Sequence, residues 1–487
     1  MKLLKDILYQ TRIVDLVGNT NIAIETIAFD SRKVVSFSLF VAVRGTQVDG
    51  HLYIEQAILA GAIAIVCEEF PENLKSGISY VKVQDAALAL GFIAANYFEN
   101  PSTKIKLIGI TGTNGKTTTA TLLYNLYRSL GFKTGLLSTV ENKINSDTVA
   151  ATHTTPDAIA LNFLLTEMIE KGCTHCFMEV SSHAIDQKRV AGIQFEGAVF
   201  TNITHDHLDY HKTFDAYIKA KKGLFDNLTS SAFALVNIDD RQGETMLQNC
   251  KAKKYTYAIK TIADFKAKIL ENNFTGLHVS IDNQDLYAKL IGSFNAYNIL
   301  AVYATSILLG QSAMDVLTAI STLNAVTGRF QFIKTESNIV AIIDYAHTPD
   351  ALENVLTTIN DIRTRNEKVI TVVGCGGNRD EAKRPEMAKI SCRLSDRVVL
   401  TSDNPRNENP TDIINQMKKG VEAIYYKKTV AIEDRREAIK LACSLAEPGD
   451  IVLIAGKGHE KYQEIKGEKF PFDDFQIVNE TLKMLHK

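Results

Sequence analysis

The sequence is short of the features that mark secreted, disulfide-bonded and nucleic-acid-binding proteins. It has only 7 cysteines in 487 residues, an odd and sparse number that fits reduced thiols and a cytoplasmic location. Lysine and arginine total 54 against 56 aspartate and glutamate. The resulting formal net charge of -2 gives no general attraction to nucleic acid or anionic lipid, so we expect any anion-binding site to be local.

Long hydrophobic runs are also absent. The longest weakly polar stretch, 86–98, is well short of the roughly 20 residues that cross a bilayer and contains Asn96, so it predicts a buried helix rather than membrane insertion. Residues 1–7 show no sustained apolar run and no small-residue cleavage site, which argues against export. With only 9 prolines, 28 glycines and 45% hydrophobic residues, the composition is typical of a soluble globular protein.

The rhythm of apolar segments predicts an α/β protein with three domains, which also suits the length at roughly 100–200 residues per domain. Residues 1–104 indicate a small α/β domain that ends where Pro101 breaks a helix. Residues 105–328 indicate a central phosphate-loop domain with a mostly parallel sheet, in which the late stretch 255–290 alternates like antiparallel strands. Residues 329–487 restart the rhythm as a Rossmann-like domain.

A glycine-rich loop lies between the strand predicted at 105–111 and a helix starting near Thr117. From position 111 it reads Thr-Gly-Thr-Asn-Gly-Lys-Thr-Thr-Thr, a phosphate loop in which Ile110 stands where the usual pattern has glycine. Its glycines let backbone N–H groups surround phosphate oxygens, its lysine would reach the terminal phosphates, and the hydroxyl of Thr117 would meet Mg²⁺. An accidental glycine turn is the alternative. The predicted ATP-binding residues here are Gly112, Thr113, Asn114, Gly115, Lys116, Thr117 and Thr118.

Two further predicted strands end in polar side chains that suit a metal ion. Glu179 has no packing reason to end the apolar strand 177–181, and His207 lies in the polar run that follows the strand 198–203. Carboxyl ends of parallel strands gather at one edge of a sheet, so both can face the phosphate loop. We predict Thr117, Glu179 and His207 as metal ligands. The alternative is that these histidines and aspartates only cap the next helix.

Lys221 falls in the middle of the apolar face of the helix predicted at 213–225. An ammonium group there needs a partner, a lowered pKa or a covalent modification, and carbamylation would turn the cation into an anion able to sit beside Mg²⁺. The alternative is a lysine whose stem packs while its charged end reaches water.

Six motifs, in this order, resemble those of the Mur ligases of peptidoglycan synthesis, and the resemblance covers nearly the whole chain. They are Thr111-Gly-Thr-Asn-Gly-Lys-Thr, Glu179-Val-Ser-Ser-His, Asp206-His-Leu-Asp-Tyr-His, Gly292-Ser-Phe-Asn-Ala-Tyr-Asn, Gly328-Arg and Asp344-Tyr-Ala-His-Thr-Pro-Asp. Ala184 and Phe330-Gln depart from the family pattern without touching a proposed ligand. The resemblance implies ATP and Mg²⁺ as cofactors, small-molecule substrates, no nucleic acid and a monomer.

The resemblance also implies roles for particular residues. Lys221 matches a lysine that is carbamylated in relatives, which adds it to the metal ligands, and Arg329 matches an arginine that reaches phosphate from the last domain. The implied catalytic residues are thus Lys116, Lys221, Arg329 and His207. Adenine-side contacts would come from Asn295 and Asn298, and a clamp on ribose and phosphate from Asp344 and His347. Since these last residues lie in another domain than the phosphate loop, we expect catalysis to require domain closure.

The substrate that would accept the new amino acid is, by the same resemblance, a UDP-muramoyl dipeptide. Its implied binding residues are Thr154, Thr155, Ser181, Gln187 and Arg189. In the first domain, the sequences 29–32 and 45–51 resemble the uridine-diphosphate site, with Ser31 as the best candidate. A plain turn is the alternative there, because serine and glycine fill turns everywhere.

Three polar loops of the last domain follow the strands predicted at 369–374, 397–402 and 451–455, so we expect them to converge on one pocket. The predicted pocket residues are Arg384, Asp403, Asn404, Arg406, Gly456 and Glu460. Two arginines facing two carboxylates suit a zwitterion with a carboxylate at its far end, because guanidinium groups pair bidentately with carboxylates. In the family, Asp403-Asn-Pro-Arg406 marks the addition of meso-diaminopimelate. The alternative is Arg406 as a surface ion-pair residue.

The sequence therefore predicts ATP-dependent addition of meso-diaminopimelate to the D-glutamate γ-carboxyl through an acyl phosphate. An L-lysine-adding ligase is the nearest alternative, and a folate polyglutamyl ligase would share the phosphate loop but lack the uridine-binding first domain. An alternative of another class is a phosphate-loop regulatory ATPase without synthetic activity. The three strand-end clusters of the last domain argue against it.

Overall fold

The computed structural model describes residues 1–45, 48–151 and 153–487, and it confirms the α/β class with three principal sheets. Thr46 and Gln47, within the motif 45–51, lie outside the described residues. The domain boundaries proposed at 104/105 and 328/329 stay predictions. Among the helices that the structure describes, none has the length and apolar character needed to cross a membrane.

The first sheet has five strands, and all but one pair run parallel. Its spatial order is Ile13–Val17, Ser79–Val83, Ala62–Cys67, Ser38–Val41 and Thr26–Ala28. The helices of this part are Leu4–Ile7, Ile54–Leu59 and Ala86–Tyr97. The last of them is the predicted buried helix. It begins where Asp85 Oδ1 accepts a hydrogen bond of 2.8 Å from Leu88 N, and it ends before Asn100, whose φ is 52°.

The central sheet has eleven strands and is parallel except at its two ends. Its spatial order is Asp147–Val149, Asn142–Ile144, Thr134–Leu137, His175–Glu179, Lys106–Thr111, Gly197–Phe200, Phe233–Asn237, Lys253–Ala258, Phe265–Asn273, Gly276–Ile281 and Gln284–Ala288. Its helices are Lys116–Ser129, Ala158–Glu170, Ser182–Asp186, Leu208–His211, Phe214–Asp226, Gly243–Leu247, Ser293–Leu308 and Ala313–Thr322.

The antiparallel strands expected at 255–290 are present, but they continue the central sheet. The strand Lys253–Ala258 pairs in parallel with Phe233–Asn237, and the antiparallel pairing begins only between Phe265–Asn273 and Gly276–Ile281. Alternation of apolar and polar residues indicates that one face of a strand is buried. It does not indicate which neighbouring strand it pairs with.

The C-terminal sheet has six strands, of which only the first runs antiparallel. Its order is Gln331–Lys334, Val340–Asp344, Ile451–Ala455, Val369–Cys375, Arg397–Ser402 and Thr429–Ala431. Helices Pro349–Ile362, Lys383–Leu394, Pro410–Lys418, Arg435–Leu445 and Asp474–Met484 pack on it. A hairpin, Tyr462–Ile465 with Glu468–Pro471, follows the third strand in this order.

Apolar clusters fill both faces of the two larger sheets. In the strand Lys106–Thr111, Leu107 faces one cluster whereas Ile108 and Ile110 face the other. A strand buried on both faces must be apolar on both, which explains why these strands read as continuous apolar runs. The polar residues at the carboxyl ends of these strands therefore contrast with the apolar core of the sheet.

Candidate active site

A cavity of about 890 Å³ lies between the carboxyl ends of the central and C-terminal sheets. The central sheet contributes residues 113–118 and 204–208, and the C-terminal part contributes 344–351. The loops after the strands Val369–Cys375 and Arg397–Ser402 complete the wall. Ligands of open parallel sheets bind at this edge.

The phosphate loop has the predicted strand, loop and helix order. A Cβ atom at Gly112 would lie 1.9 Å from Thr201 Oγ1, and one at Gly115 would lie 2.6 Å from Asn298 Oδ1. Both glycines also have positive φ, so no other residue fits these positions without rearrangement. Lys116 Nζ donates to the carbonyl oxygens of Gly112 and Thr113, at 2.9 Å each. Burial lowers the pKa of this lysine.

Glu179 ends its strand inside the cavity wall and is fully buried. Its Oε1 accepts a hydrogen bond of 2.8 Å from Thr139 N, and its Oε2 accepts one of 3.1 Å from Thr139 Oγ1. These two bonds fix the carboxylate, which also attracts the ammonium group of Lys116.

His207 lies at the N-terminus of the short helix Leu208–His211 with a φ of 55°, but its side chain caps no helix. The next helix is capped by Thr213, whose Oγ1 accepts from Ala216 N at 3.1 Å. His207 instead faces the cavity, with Nε2 3.5 Å from Asp206 Oδ2. Burial lowers its pKa, which leaves a neutral imidazole able to bind a metal ion. Among the described residues, no three His, Cys, Asp or Glu side chains form a metal-binding group.

Lys221 is 1% exposed, so the alternative in which its charged end reaches water is wrong. Its Nζ donates to Gly112 O at 2.7 Å and lies 4.6 Å above the centre of the Tyr217 ring. Burial, and then the nearby charge of Lys116, lower the pKa of Lys221 well below its ordinary value.

The two larger sheets are linked across the cavity by Arg329 and Asp350. Arg329 Nη2 lies 3.1 Å from Thr117 Oγ1, and the guanidinium group stacks 4.5 Å from the centre of the Tyr345 ring. Asp350 Oδ2 accepts hydrogen bonds from Asn114 Nδ2 at 2.8 Å and from Thr204 Oγ1 at 3.0 Å. Asp350 is a linking residue that the sequence analysis did not identify. Its position in the last predicted motif was the available signal.

Asp344 and His347 lie on the same wall as Arg329. Asp344 Oδ2 accepts a hydrogen bond of 2.6 Å from Phe330 N, and burial raises the pKa of this carboxyl to about 6. His347 Nδ1 donates to Tyr345 O at 2.8 Å, and burial lowers the pKa of its ring to about 4.

Of the two asparagines predicted on the adenine side, only Asn298 lines the cavity. Its Nδ2 donates to Asn295 Oδ1 at 2.9 Å, so Asn295 supports it from behind. The role of both in adenine binding stays a prediction.

Four of the residues predicted for the muramoyl dipeptide, Thr155, Ser181, Gln187 and Arg189, form one hydrogen-bonded group. Thr154 and Ser181 line the cavity, and Thr155 lies beneath them with its Oγ1 donating to Glu179 O at 2.8 Å. Arg189 donates to Thr155 O at 3.0 Å and to Gln187 Oε1 at 2.9 Å. Ser31 lies outside this cavity, in the first sheet region, where its Oγ donates to Gln56 Oε1 at 3.2 Å.

The loops of the C-terminal part converge as predicted, with one correction. Cavity-lining residues include Asp403, Asn404, Arg406, Gly456 and Glu460. Arg384 does not line the cavity. It is fully buried on the helix Lys383–Leu394, where its Nη1 pairs with Glu408 Oε2 at 2.9 Å and bonds Gln416.

Two cations that the sequence analysis left out, Arg379 and Lys383, line the cavity instead of Arg384. Arg379 is exposed on the loop before the helix. Sequence spacing could not distinguish the two arginines, because only the path of the loop decides which side chain turns inward.

Comparison with known proteins identifies the class. Domain models described as the Mur ligase family catalytic domain, the Mur ligase middle domain and the Mur ligase glutamate ligase domain match residues 23–98, 110–306 and 328–458. A curated relative from Cytophaga hutchinsonii is 57% identical, over 99% of this chain and 100% of its own length. The chain belongs to the Mur ligase family.

Within the family, two curated relatives share one name. The Cytophaga hutchinsonii relative is named UDP-N-acetylmuramoyl-L-alanyl-D-glutamate–2,6-diaminopimelate ligase, as is a Bacteroides fragilis relative that is 52% identical over 99% of both chains. A solved structure of a ligase with this name is 31% identical, with a TM-score of 0.71 over 100% of this chain and 99% of that one. A MurF ligase from Thermotoga maritima in complex with ADP, 18% identical with a TM-score of 0.63 over 99% of both chains, shares the fold.

Proposed function

We propose that the protein is a cytoplasmic, monomeric ATP-dependent ligase that adds meso-diaminopimelate to the D-glutamate γ-carboxyl of UDP-N-acetylmuramoyl-L-alanyl-D-glutamate. The observation that carries the proposal is that the phosphate loop, Arg329 and the cluster 403–406 face one cavity. The names of the relatives support the choice of substrates. All 7 cysteines are buried free thiols, which suits a reducing compartment.

The reaction needs two steps because an amine does not displace oxygen directly from a carboxylate. The oxygen that would have to leave is too basic, so the carboxylate must first be activated. A γ-carboxylate oxygen attacks the γ-phosphorus of ATP, and the bond to the β-phosphate oxygen breaks to release ADP. The amine of diaminopimelate then attacks the acyl-phosphate carbon and loses a proton, and inorganic phosphate leaves. Lys116 and Arg329 would offset the charge on the transferring phosphoryl group, a role that requires mainly positioning.

The residues at the end of the phosphate loop fit a magnesium ion. Thr117 Oγ1 and the fixed carboxylate of Glu179 are oxygen donors, and His207 offers a neutral nitrogen at the same wall. Mg²⁺, when bound, would supply charge that neutralises phosphate oxygens. We propose these three residues, with Lys221 as its carbamate, as the metal-binding set.

The surroundings of Lys221 support its carbamylation. A neutral amine is the form that attacks the carbon of CO₂, and the nitrogen then loses a proton as the carbamate forms. Complete burial disfavours the ammonium form of Lys221, so its amine is available for this reaction. The product would be an anion close to the phosphate loop.

The far carboxylate of diaminopimelate would be recognised by guanidinium groups that line the cavity. Arg406 lines the cavity, with its Nη1 donating to Gly377 O at 2.8 Å and its Nε 3.2 Å from Glu464 Oε2. Arg379 is the second candidate, because its side chain is exposed in the cavity wall whereas Arg384 is paired internally. L-Lysine lacks this carboxylate, so the pairing between the substrate and these guanidinium groups would be lost.

The test compares Arg406→Ala with Arg393→Ala, whose exposed arginine pairs with Glu353 away from the cavity. Loss of one charge-assisted pair should lower kcat/KM for diaminopimelate by about tenfold to a hundredfold in Arg406→Ala, with a smaller effect on L-lysine. Arg393→Ala should match the wild type. Equal losses for both amino acids would contradict recognition of the far carboxylate by Arg406.

A further inference from the structure

Lys457 is a fully buried lysine that lies behind the proposed amino-acid pocket and does not line the cavity. The pocket consists of Asp403, Asn404, Arg406, Gly456 and Glu460. A lysine with no exposed surface is rare in proteins and needs compensating partners. The proposed function assigns it no task.

Each polar partner of Lys457 is a pocket residue. Its Nζ donates to Asn404 Oδ1 at 2.8 Å and to Glu460 Oε2 at 3.2 Å. Asn404 Oδ1 also accepts from Glu464 N at 3.0 Å, so its Nδ2 is turned toward Glu460 Oε2, at 2.7 Å. Lys457 thereby fixes both the orientation of the amide and the position of the carboxylate.

The charges around the pocket are compensated in the same manner. The carboxylate of Asp403 lies 4.0 Å from Arg435 Nη1, an atom with no hydrogen-bond partner in the described structure, and Arg435 is itself paired with buried Asp474 at 2.7 Å. Glu460 is paired with Lys457. Because Lys457 neutralises Glu460, the pocket presents less negative charge than its two carboxylates suggest.

We propose that Lys457 is a positioning residue that makes the pocket selective for an amino acid with a zwitterionic far end over one with a cationic far end. This inference rests on the proposed function and deepens it. A more negative pocket would attract the cationic end of lysine and repel the far carboxylate of diaminopimelate. Lys457 acts through Asn404 and Glu460, without contact to the substrate.

The experiment measures the ratio of kcat/KM for meso-diaminopimelate to that for L-lysine at about pH 8, where carboxylates are ionised. Lys457→Met keeps most of the length of the side chain and removes its charge. We expect the ratio to fall by about tenfold or more. The control is Lys461→Met, whose side chain is 75% exposed, and it should leave the ratio unchanged.

A second variant distinguishes lost charge balance from general damage. In Lys457→Met/Glu460→Gln both charges are removed, so the ratio should recover toward the wild-type value even if the overall rate is lower. An unchanged ratio in Lys457→Met, or no recovery in the double variant, would overturn the inference. A wild-type enzyme that prefers L-lysine would instead overturn the proposed function, and this inference with it.

Discussion

The acid–base state of single buried side chains determines much of the chemistry proposed for this cavity. Lys221 is the sharpest case, because it is fully buried and held over the phosphate loop by Gly112 O. We predict that Lys221→Met lowers kcat by roughly a hundredfold, since an anion beside the reacting phosphates is lost. Lys219→Met, an exposed lysine on the same helix, is the control. NMR with ¹³C-labelled bicarbonate should show a carbamate signal that Lys221→Met lacks, and full activity of that variant would contradict the assignment.

His459 gives a prediction about stability. Its ring packs against Tyr345 at a tilt of 42°, its Nδ1 has no hydrogen-bond partner in the described structure, and burial lowers its pKa to about 3. In the unfolded chain the His459 ring takes up a proton near pH 6.5, whereas in the folded protein it does not. The contribution of His459 to the free energy of unfolding is therefore complete above about pH 6.5 and is lost as the pH drops.

The variant His459→Phe should remove this contribution. Between pH 7 and pH 5 the free energy of unfolding should fall by about 2 kcal/mol less in the variant than in the wild type. Urea denaturation at the two pH values measures the difference. The same pH dependence in both proteins would show that His459 is protonated in the folded state.

At the scale of elements, continuous apolar runs predicted the parallel strands well. The strands Arg397–Ser402 and Ile451–Ala455 begin and end at the predicted residues, because both faces are buried and charged or turn residues flank them. The end strands of the central sheet were less predictable. Their pairing depends on neighbours distant in sequence, which a local pattern does not encode.

The linker at Gly328 crosses the loop 456–460 closely enough to give a second prediction about stability. A Cβ atom on Gly328, whose φ is 69°, would lie 2.1 Å from His459 N. Gly310 has a φ of 88° with nothing within 4 Å, so it is the matched control. Gly310→Ala should cost about 1 kcal/mol of stability for the strained backbone.

Gly328→Ala should cost about 1–3 kcal/mol more than this control, because backbone atoms must move apart. It should also reduce kcat, since Arg329 is the next residue. Thermal unfolding and phosphate release measure the two effects. Equal losses of stability in Gly328→Ala and Gly310→Ala would show that the crossing adds no constraint.

At the scale of the whole molecule, the sequence predicted that the functional loops lie at the carboxyl edge of each sheet. It did not predict the contacts across the cavity. That edge follows from parallel strands, whereas the bonds from Asp350 to Asn114 and Thr204 depend on how the two sheets meet. The prediction of Arg384 as a pocket residue was wrong for the same reason. The path of the loop 376–382, and not residue type, determines which arginine side chain reaches the cavity.

Substitution of Asp350 therefore tests whether catalysis requires domain closure. We predict that Asp350→Ala raises KM for ATP severalfold and increases the radius of gyration measured by X-ray scattering, because both bonds across the cavity are lost. Asp361→Ala, at an exposed position on the same helix, is the control. Identical scattering and kinetics for Asp350→Ala and the wild type would show that closure does not depend on this residue.

In the proposed reaction, one cavity activates a muramoyl dipeptide and delivers it to diaminopimelate. The most direct measurement is phosphate release by the wild-type enzyme with ATP, Mg²⁺ and UDP-N-acetylmuramoyl-L-alanyl-D-glutamate, with the mass of the product determined for each amino acid supplied. We predict rapid release with meso-diaminopimelate and a product heavier by one diaminopimelate residue. Release that needs neither dipeptide nor amino acid, or that is equal or faster with L-lysine, would contradict the proposed function.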